Sequence, residues 1–82
     1  MTSKNMNWLD IQKYELDLDL IREKRLALNY THKEIAYYLG YKNPCSYYKY
    51  ENGDYSFKAN QLPILAQILN CELSALYKKS KE

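Results

Sequence analysis

The chain of 82 residues is long enough for one domain with a modest core and too short for a second domain. Its net charge of +2 is uneven, because residues 22–82 carry ten lysine and arginine residues against six aspartate and glutamate residues, as an anion-binding module would. With one histidine and no CxxC spacing, we expect free thiols at Cys45 and Cys71 and no metal or other cofactor. No signal sequence or long apolar run is present, which predicts a cytoplasmic protein.

Residues 1–16 form an N-terminal extension that can be continuous with the first helix. At about 100° per residue, one apolar stripe runs from Ile11 through Tyr14, Leu18 and Ile21 to Leu28. A second apolar face consists of Leu9, Leu16, Leu20 and Ala27. This second face either is buried within the domain or meets another subunit.

The second helix has clear start and stop signals. Thr31 and Glu34 have the spacing of a capping box, in which each side chain bonds the backbone amide of the other residue. Gly40 supplies the left-handed residue that ends the helix. The inner stripe of this helix is Ile35, Ala36 and Leu39.

The third helix follows after three or four residues. Asn43-Pro44 is an N-cap followed by proline at the first helical position, and Asn52-Gly53 stops the helix after Glu51. At about 100° per residue, Tyr47 and Tyr50 point inward on this helix, and Tyr48 and Lys49 point outward.

Two further helices are predicted. With Asn60 as N-cap, Pro63 falls in the first turn, so the fourth helix runs from Gln61 to Asn70. A fifth short helix runs from Leu73 to about Lys79, where its lysines suit the C-terminal end of the helix dipole.

Two short helices joined by a tight, glycine-containing turn are typical of a helix-turn-helix. The stretches RLAL (25–28), YTHKEIA (30–36), LG (39–40) and YENG (50–53), with Leu62, Ala66, Leu69 and Leu76, resemble the Cro/CI-type helix-turn-helix family, also called the XRE family. The resemblance covers about Asp19 to Tyr77. The segment Tyr41–Ser46 is one residue longer than the commonest family pattern.

The resemblance implies an all-α fold, a compact five-helix bundle of the lambda-repressor-like DNA-binding type, in residues 17–79. In this family the third helix enters the major groove, and an arginine of the first helix pairs with a glutamate that ends the third. The matching positions are Arg25 and Glu51, which we expect to form a structural ion pair.

The outward face of the third helix is the predicted base-reading surface. Its residues are Asn43, Pro44, Cys45, Tyr48 and Lys49. The N-terminus of the second helix attracts phosphate, and the family position occupied by His32 often touches the DNA backbone. The predicted phosphate contacts are therefore His32, Lys33, Lys42, Asn52, Tyr55 and Lys58.

An enzyme is not expected, because no nucleophile has an evident base and no P-loop or paired catalytic carboxylates are present. The leading hypothesis is a sequence-specific regulator of transcription, most simply a repressor. It would bind double-stranded DNA at a palindromic operator as a homodimer and so associate with the nucleoid. The alternative is a protein-interaction module, such as an antitoxin-like regulator, that binds a protein partner through the N-terminal segment and exposed Tyr37-Tyr38.

Overall fold

The computed structural model describes residues 7–81, in which four α-helices and a two-stranded sheet surround one core. The helices are α1 (Leu18–Ala27), α2 (His32–Leu39), α3 (Tyr47–Glu51) and α4 (Leu62–Ile68), and the strands are β1 (Tyr14–Leu16) and β2 (Tyr77–Lys79). Short 3-10 turns occupy Trp8–Asp10, Ala59–Gln61 and Leu73–Leu76. Within residues 7–81, every helix is too short or too polar to span a bilayer.

Each α-helix contributes side chains to the core. The largest fully buried side chains are Ile21 of α1, Ile35 of α2, Tyr47 of α3, Leu65 of α4, and Leu69 and Leu76 that follow it. Burying one such aliphatic side chain stabilises the fold by about 1.5–3 kcal/mol relative to leaving it exposed. The core therefore holds α2 and α3 in a fixed relative orientation.

The first helix does not extend into the N-terminal extension. It begins at Leu18, after Asp17, whose side chain accepts a hydrogen bond from the Leu20 amide at 3.1 Å. Tyr14, which was expected on the apolar stripe of this helix, lies instead in β1. Ile11 precedes the strand and is exposed, and residues 1–6 of the extension lie outside the described residues.

The structure also has no fifth α-helix among residues 7–81. Leu73–Leu76 is a 3-10 turn, and the chain then becomes β2, which pairs antiparallel with β1. Tyr14 lies opposite Lys79, and Leu16 lies opposite Tyr77. The all-α, five-helix expectation is therefore wrong in these two respects, while the domain remains mostly helical.

The second helix agrees with its predicted signals. The Thr31 hydroxyl accepts a hydrogen bond from the Glu34 amide at 3.1 Å, and the Glu34 carboxylate accepts one from the Thr31 amide at 2.8 Å. Gly40 ends the helix with a φ of 77°. The fourth helix is shorter than predicted, because Ala59–Gln61 forms a 3-10 turn and the α-helix ends at Ile68.

Candidate nucleic-acid interface

The segment before α3 is a turn and not the first turn of the helix. The Asn43 side-chain oxygen accepts a hydrogen bond from the Cys45 amide at 2.9 Å, and the Ser46 hydroxyl donates to the Asn43 carbonyl at 2.8 Å. The predicted N-cap at Asn43 is therefore wrong, since α3 begins at Tyr47 and has only five residues. Asn43, Pro44 and Cys45 are exposed in this turn.

Two predicted base-reading residues lie on α3 itself. Tyr48 is exposed, whereas Lys49 is half-buried. The chain after α3 folds back so that the amides of Asp54 and Tyr55 donate to the Lys49 carbonyl at 2.8 and 3.2 Å. The Lys49 ammonium consequently lies 3.5 Å from the Tyr55 hydroxyl and 5.2 Å from its ring centroid. The positive charge therefore lies at the surface beside the Tyr55 side chain.

The other tyrosines of α3 point inward. Tyr47 is fully buried, and Tyr50 is half-buried, with its ring stacked on Tyr41 at 4.9 Å. The Tyr41 hydroxyl donates to the Gln61 side chain at 3.0 Å, and its partial burial raises the pKa of Tyr41 to about 12. Burial raises the pKa of Tyr47 still further, so both hydroxyls are neutral at physiological pH.

Arg25 and Glu51 form a buried ion pair between α1 and the last residue of α3. Arg25 Nε and Nη2 donate to the two carboxylate oxygens at 2.8 and 3.0 Å, and Nη1 donates to the Tyr30 carbonyl at 2.9 Å. Burial alone would raise the pKa of Glu51, but the hydrogen bonds and charge of Arg25 outweigh it and hold that pKa below its ordinary value. The pair fixes the end of α3 against α1.

His32 contacts the same carboxylate from α2. Its Nε2 lies 3.4 Å from Glu51 Oε1, and its ring lies 5.9 Å from the Tyr47 ring and 6.3 Å from the Tyr48 ring. The sequence predicted a phosphate contact at His32 and missed this packing role. The inward direction of Glu51 was the available signal, because a buried carboxylate attracts polar and cationic side chains from the elements packed around it.

The remaining predicted phosphate contacts surround α3. Lys33 is exposed at the start of α2, where the first amides of a helix have no intrahelical acceptor. The loop before α3 and the segment after it expose Lys42, Asn52, Tyr55 and Lys58. Four side chains that can donate hydrogen bonds, two of them positively charged, thus flank α3. Lys33 and His32 lie at the N-terminus of α2 beside it.

The connection between α2 and α3 comprises residues 40–46 and is therefore longer than the predicted three or four residues. A short α3 that packs against α2, with its outer side exposed, is still the arrangement of a helix-turn-helix domain. The family model described as "Helix-turn-helix" matches residues 21–76, and the chain belongs to this Cro/CI-type, or XRE, family of DNA-binding regulatory domains. Searches of curated proteins and of solved structures gave no significant match. Both β1 and β2 lie outside the matched stretch.

Proposed function

We propose that this protein represses transcription by binding a palindromic operator as a homodimer, with α3 of each copy in the major groove. The observation that carries the proposal is the closeness of the two predicted contact groups. The ring of Tyr48, on the outer side of α3, lies 6.3 Å from the ring of His32 at the start of α2. A duplex that meets α3 would therefore also meet the N-terminus of α2.

The side chains have the chemistry that each role requires. Lys49 can donate to O6 and N7 of guanine, and Asn43 can bond a base edge. Tyr48 and Cys45 can contact a thymine methyl, with Pro44 packing beside them. The backbone phosphates would be bound by the residues that flank α3, which are His32, Lys33, Lys42, Asn52, Tyr55 and Lys58.

A dimer follows from the small size of α3. Five helical residues and the turn before them give few base contacts, and one domain alone discriminates weakly between sequences. Two copies related by a two-fold axis would read two half-sites about one helical turn, roughly 34 Å, apart. Such a regulator would act in the cytoplasm at the nucleoid.

The experiment is selection of bound sequences from random duplex DNA, followed by titration of the selected duplex over a salt series. We expect a palindromic motif and an affinity that falls steeply as salt rises, because phosphate contacts release counterions. Lys33→Ala should weaken binding to all sequences and reduce the salt slope by about 1. Lys81→Ala is the matched control, since Lys81 is also exposed but belongs to the segment after β2.

Two outcomes would contradict the proposal. Failure of any sequence to enrich would mean that the domain does not read bases. An enriched motif without two-fold symmetry would mean that it reads DNA as a monomer. Repression itself is tested by placing the selected motif across a promoter and measuring reporter output with and without the protein.

A second candidate function is binding of a protein partner through α2. Tyr37 and Tyr38 are 77% and 51% exposed, and Tyr38 makes edge-to-face contacts with Tyr37 at 5.6 Å and with Tyr30 at 5.8 Å. Exposed aromatic clusters are common at protein interfaces. Binding of a partner at this cluster would survive Lys49→Ala and be lost in Tyr37→Ser, whereas operator binding should show the reverse.

A further inference from the structure

The outer edge of β1 has no strand beside it within residues 7–81. The Ser80 amide donates to the Lys13 carbonyl at 2.8 Å, and the Asp17 amide donates to the Leu76 carbonyl at 2.7 Å, both across the edge that faces β2. Backbone groups of successive strand residues point to opposite edges, so those of Tyr14 point outward. An unpaired strand edge is a template for pairing with another chain.

We infer that this edge pairs with the same edge of a second copy about a two-fold axis at Tyr14, and this rests on the dimer of the proposed function. In that antiparallel register, residue 13 of each copy lies opposite residue 15 of the other. Lys13 therefore faces Glu15 of the second copy, and the pair occurs twice. Opposite charges directly across two strands stabilise their pairing. The outward backbone groups of Tyr14 form the hydrogen-bonded pair at the axis.

The alternative edge pairings are less favourable. Two of the three residues of β2 are lysines, so pairing its outer edge with itself concentrates four positive charges on one small sheet. Pairing β1 of one copy with β2 of another leaves an open edge at each end and gives chains instead of a closed dimer. Glu15 also contacts Lys78, at 3.7 Å, but its side chain is half exposed and can accept Lys13 of the second copy as well.

Apolar residues next to β1 supply area that a short strand alone lacks. A stable interface buries at least about 1,200 Å² in total, more than three paired residues provide. Trp8 and Leu9 are 64% and 69% exposed, and the Lys13 ammonium lies 4.6 Å from the Trp8 ring. Both side chains precede β1 in the chain and are available to add apolar area to an interface along its outer edge.

The small sheet lies close to the loop that follows α3. A groove separates β1 and β2 from residues 53–57, the loop that follows α3, and its walls include Leu16, Lys78 and Tyr55. The proposed axis is therefore next to the loop that connects α3 to the rest of the domain. Because both strands lie outside residues 21–76, the matched family domain does not itself contain this surface.

Charge exchange tests the register directly. Lys13→Glu and Glu15→Lys each place like charges across the axis twice, and each should weaken the dimer about tenfold in sedimentation velocity without DNA. An equimolar mixture of the two variants should dimerise more tightly than either variant alone, because each variant then meets the opposite charges of the other. Full wild-type affinity is not expected, since Glu15→Lys also removes the contact with Lys78 of its own sheet. Circular dichroism of each variant alone shows that it is folded.

Proximity is tested by a disulfide at the axis. Tyr14→Cys in a Cys45→Ser, Cys71→Ala background should oxidise to a covalent dimer, since Cα atoms of a hydrogen-bonded pair lie about 5.5 Å apart, within disulfide range. Lys79→Cys in the same background is the matched control and should stay monomeric under denaturing conditions. Lys79 is the cross-strand partner of Tyr14 on the same small sheet.

The outcomes separate this inference from the proposed function. A wild-type dimer that Lys13→Glu leaves unchanged would overturn the β1 interface while leaving a dimeric regulator intact. A wild-type protein that is monomeric at about 100 µM, and equally after 100-fold dilution from that concentration, would overturn both the interface and the dimer. Sequence-specific DNA binding, measured by the selection experiment, is independent of either result.

Discussion

His32 Nε2 lies 3.4 Å from Oε1 of Glu51, which joins a predicted DNA-contacting side chain to a carboxylate that is only 2% exposed. The same carboxylate receives two hydrogen bonds from Arg25. Three helices therefore meet at one acidic group: α1 through Arg25, α2 through His32 and α3 through Glu51 itself. The Glu51 carboxylate therefore adds a polar connection among the three helices to the apolar contacts of the core.

Loss of either member of the ion pair should strongly destabilise the domain. Glu51→Ala leaves the Arg25 guanidinium buried and unpaired, and we expect the free energy of unfolding to fall by about 3–5 kcal/mol in urea denaturation. The double variant Arg25→Met, Glu51→Leu should lose less than either single variant, because neither charge is then left buried. If the free energy lost by the double variant equalled the sum of the losses of the two single variants, the two residues would act separately.

The pair should also make stability depend on pH in the acidic range. The pKa of Glu51 is lower in the folded protein than its ordinary value of 4.5. Its contribution is therefore fully present above about pH 4.5 and is lost as pH falls through the lower folded value. Chemical denaturation of wild type and Glu51→Gln from pH 7 to pH 2 should show a steeper acid loss in the wild type. Parallel curves would contradict this assignment.

Removal of the hydroxyl should have different effects at Tyr47, which is buried, and at Tyr41, which is half-buried. The Tyr47 hydroxyl is buried and has no hydrogen bond of good geometry within residues 7–81, whereas the Tyr41 hydroxyl donates to Gln61. Tyr47→Phe should leave the free energy of unfolding, measured by thermal denaturation, unchanged or raise it by up to about 1 kcal/mol. Tyr41→Phe should lower it by about 1 kcal/mol. A larger loss from Tyr47→Phe would indicate that its hydroxyl is bonded to Glu51.

The two glycines should differ in what they tolerate. Gly40 and Gly53 have φ values of 77° and 90°, but a Cβ at Gly40 meets no atom within 4 Å, while one at Gly53 lies 3.2 Å from Leu18 Cδ1. Asparagine already adopts positive φ in this chain, at Asn29 and Asn70. Gly40→Asn should therefore change stability by less than about 0.5 kcal/mol, and Gly53→Asn should cost more. Thermal denaturation of both variants gives the comparison.

Local signals predicted the elements whose causes are local. The capping box of Thr31 and Glu34 and the left-handed Gly40 bounded α2 correctly, because each depends on residues within one turn. The start of α3 was placed too early at Asn43. An asparagine that bonds an amide two residues later can begin a helix or form an isolated turn, and the sequence pattern is the same for both.

The strands could not be predicted from periodicity. Tyr14 and Leu16 each fitted one of the two apolar faces predicted for the first helix, but their conformation is fixed by pairing with Lys79 and Tyr77, which lie far away in the chain. Likewise, Lys49 is half-buried because the chain after α3 folds back and places Tyr55 beside it. A short stretch of sequence does not show such contacts. Helical periodicity therefore placed Lys49 fully outward and predicted helices that extend too far at both ends of the domain.

The pairing of β1 with β2 also has a kinetic consequence. It closes a loop of roughly 60 residues, and the entropy lost in that closure must be recovered by two three-residue strands. The helices and their turns depend on contacts closer in the sequence, which form sooner. The ends of the domain should therefore join late in folding and separate early, so that changes in either strand alter the unfolding rate more than the folding rate.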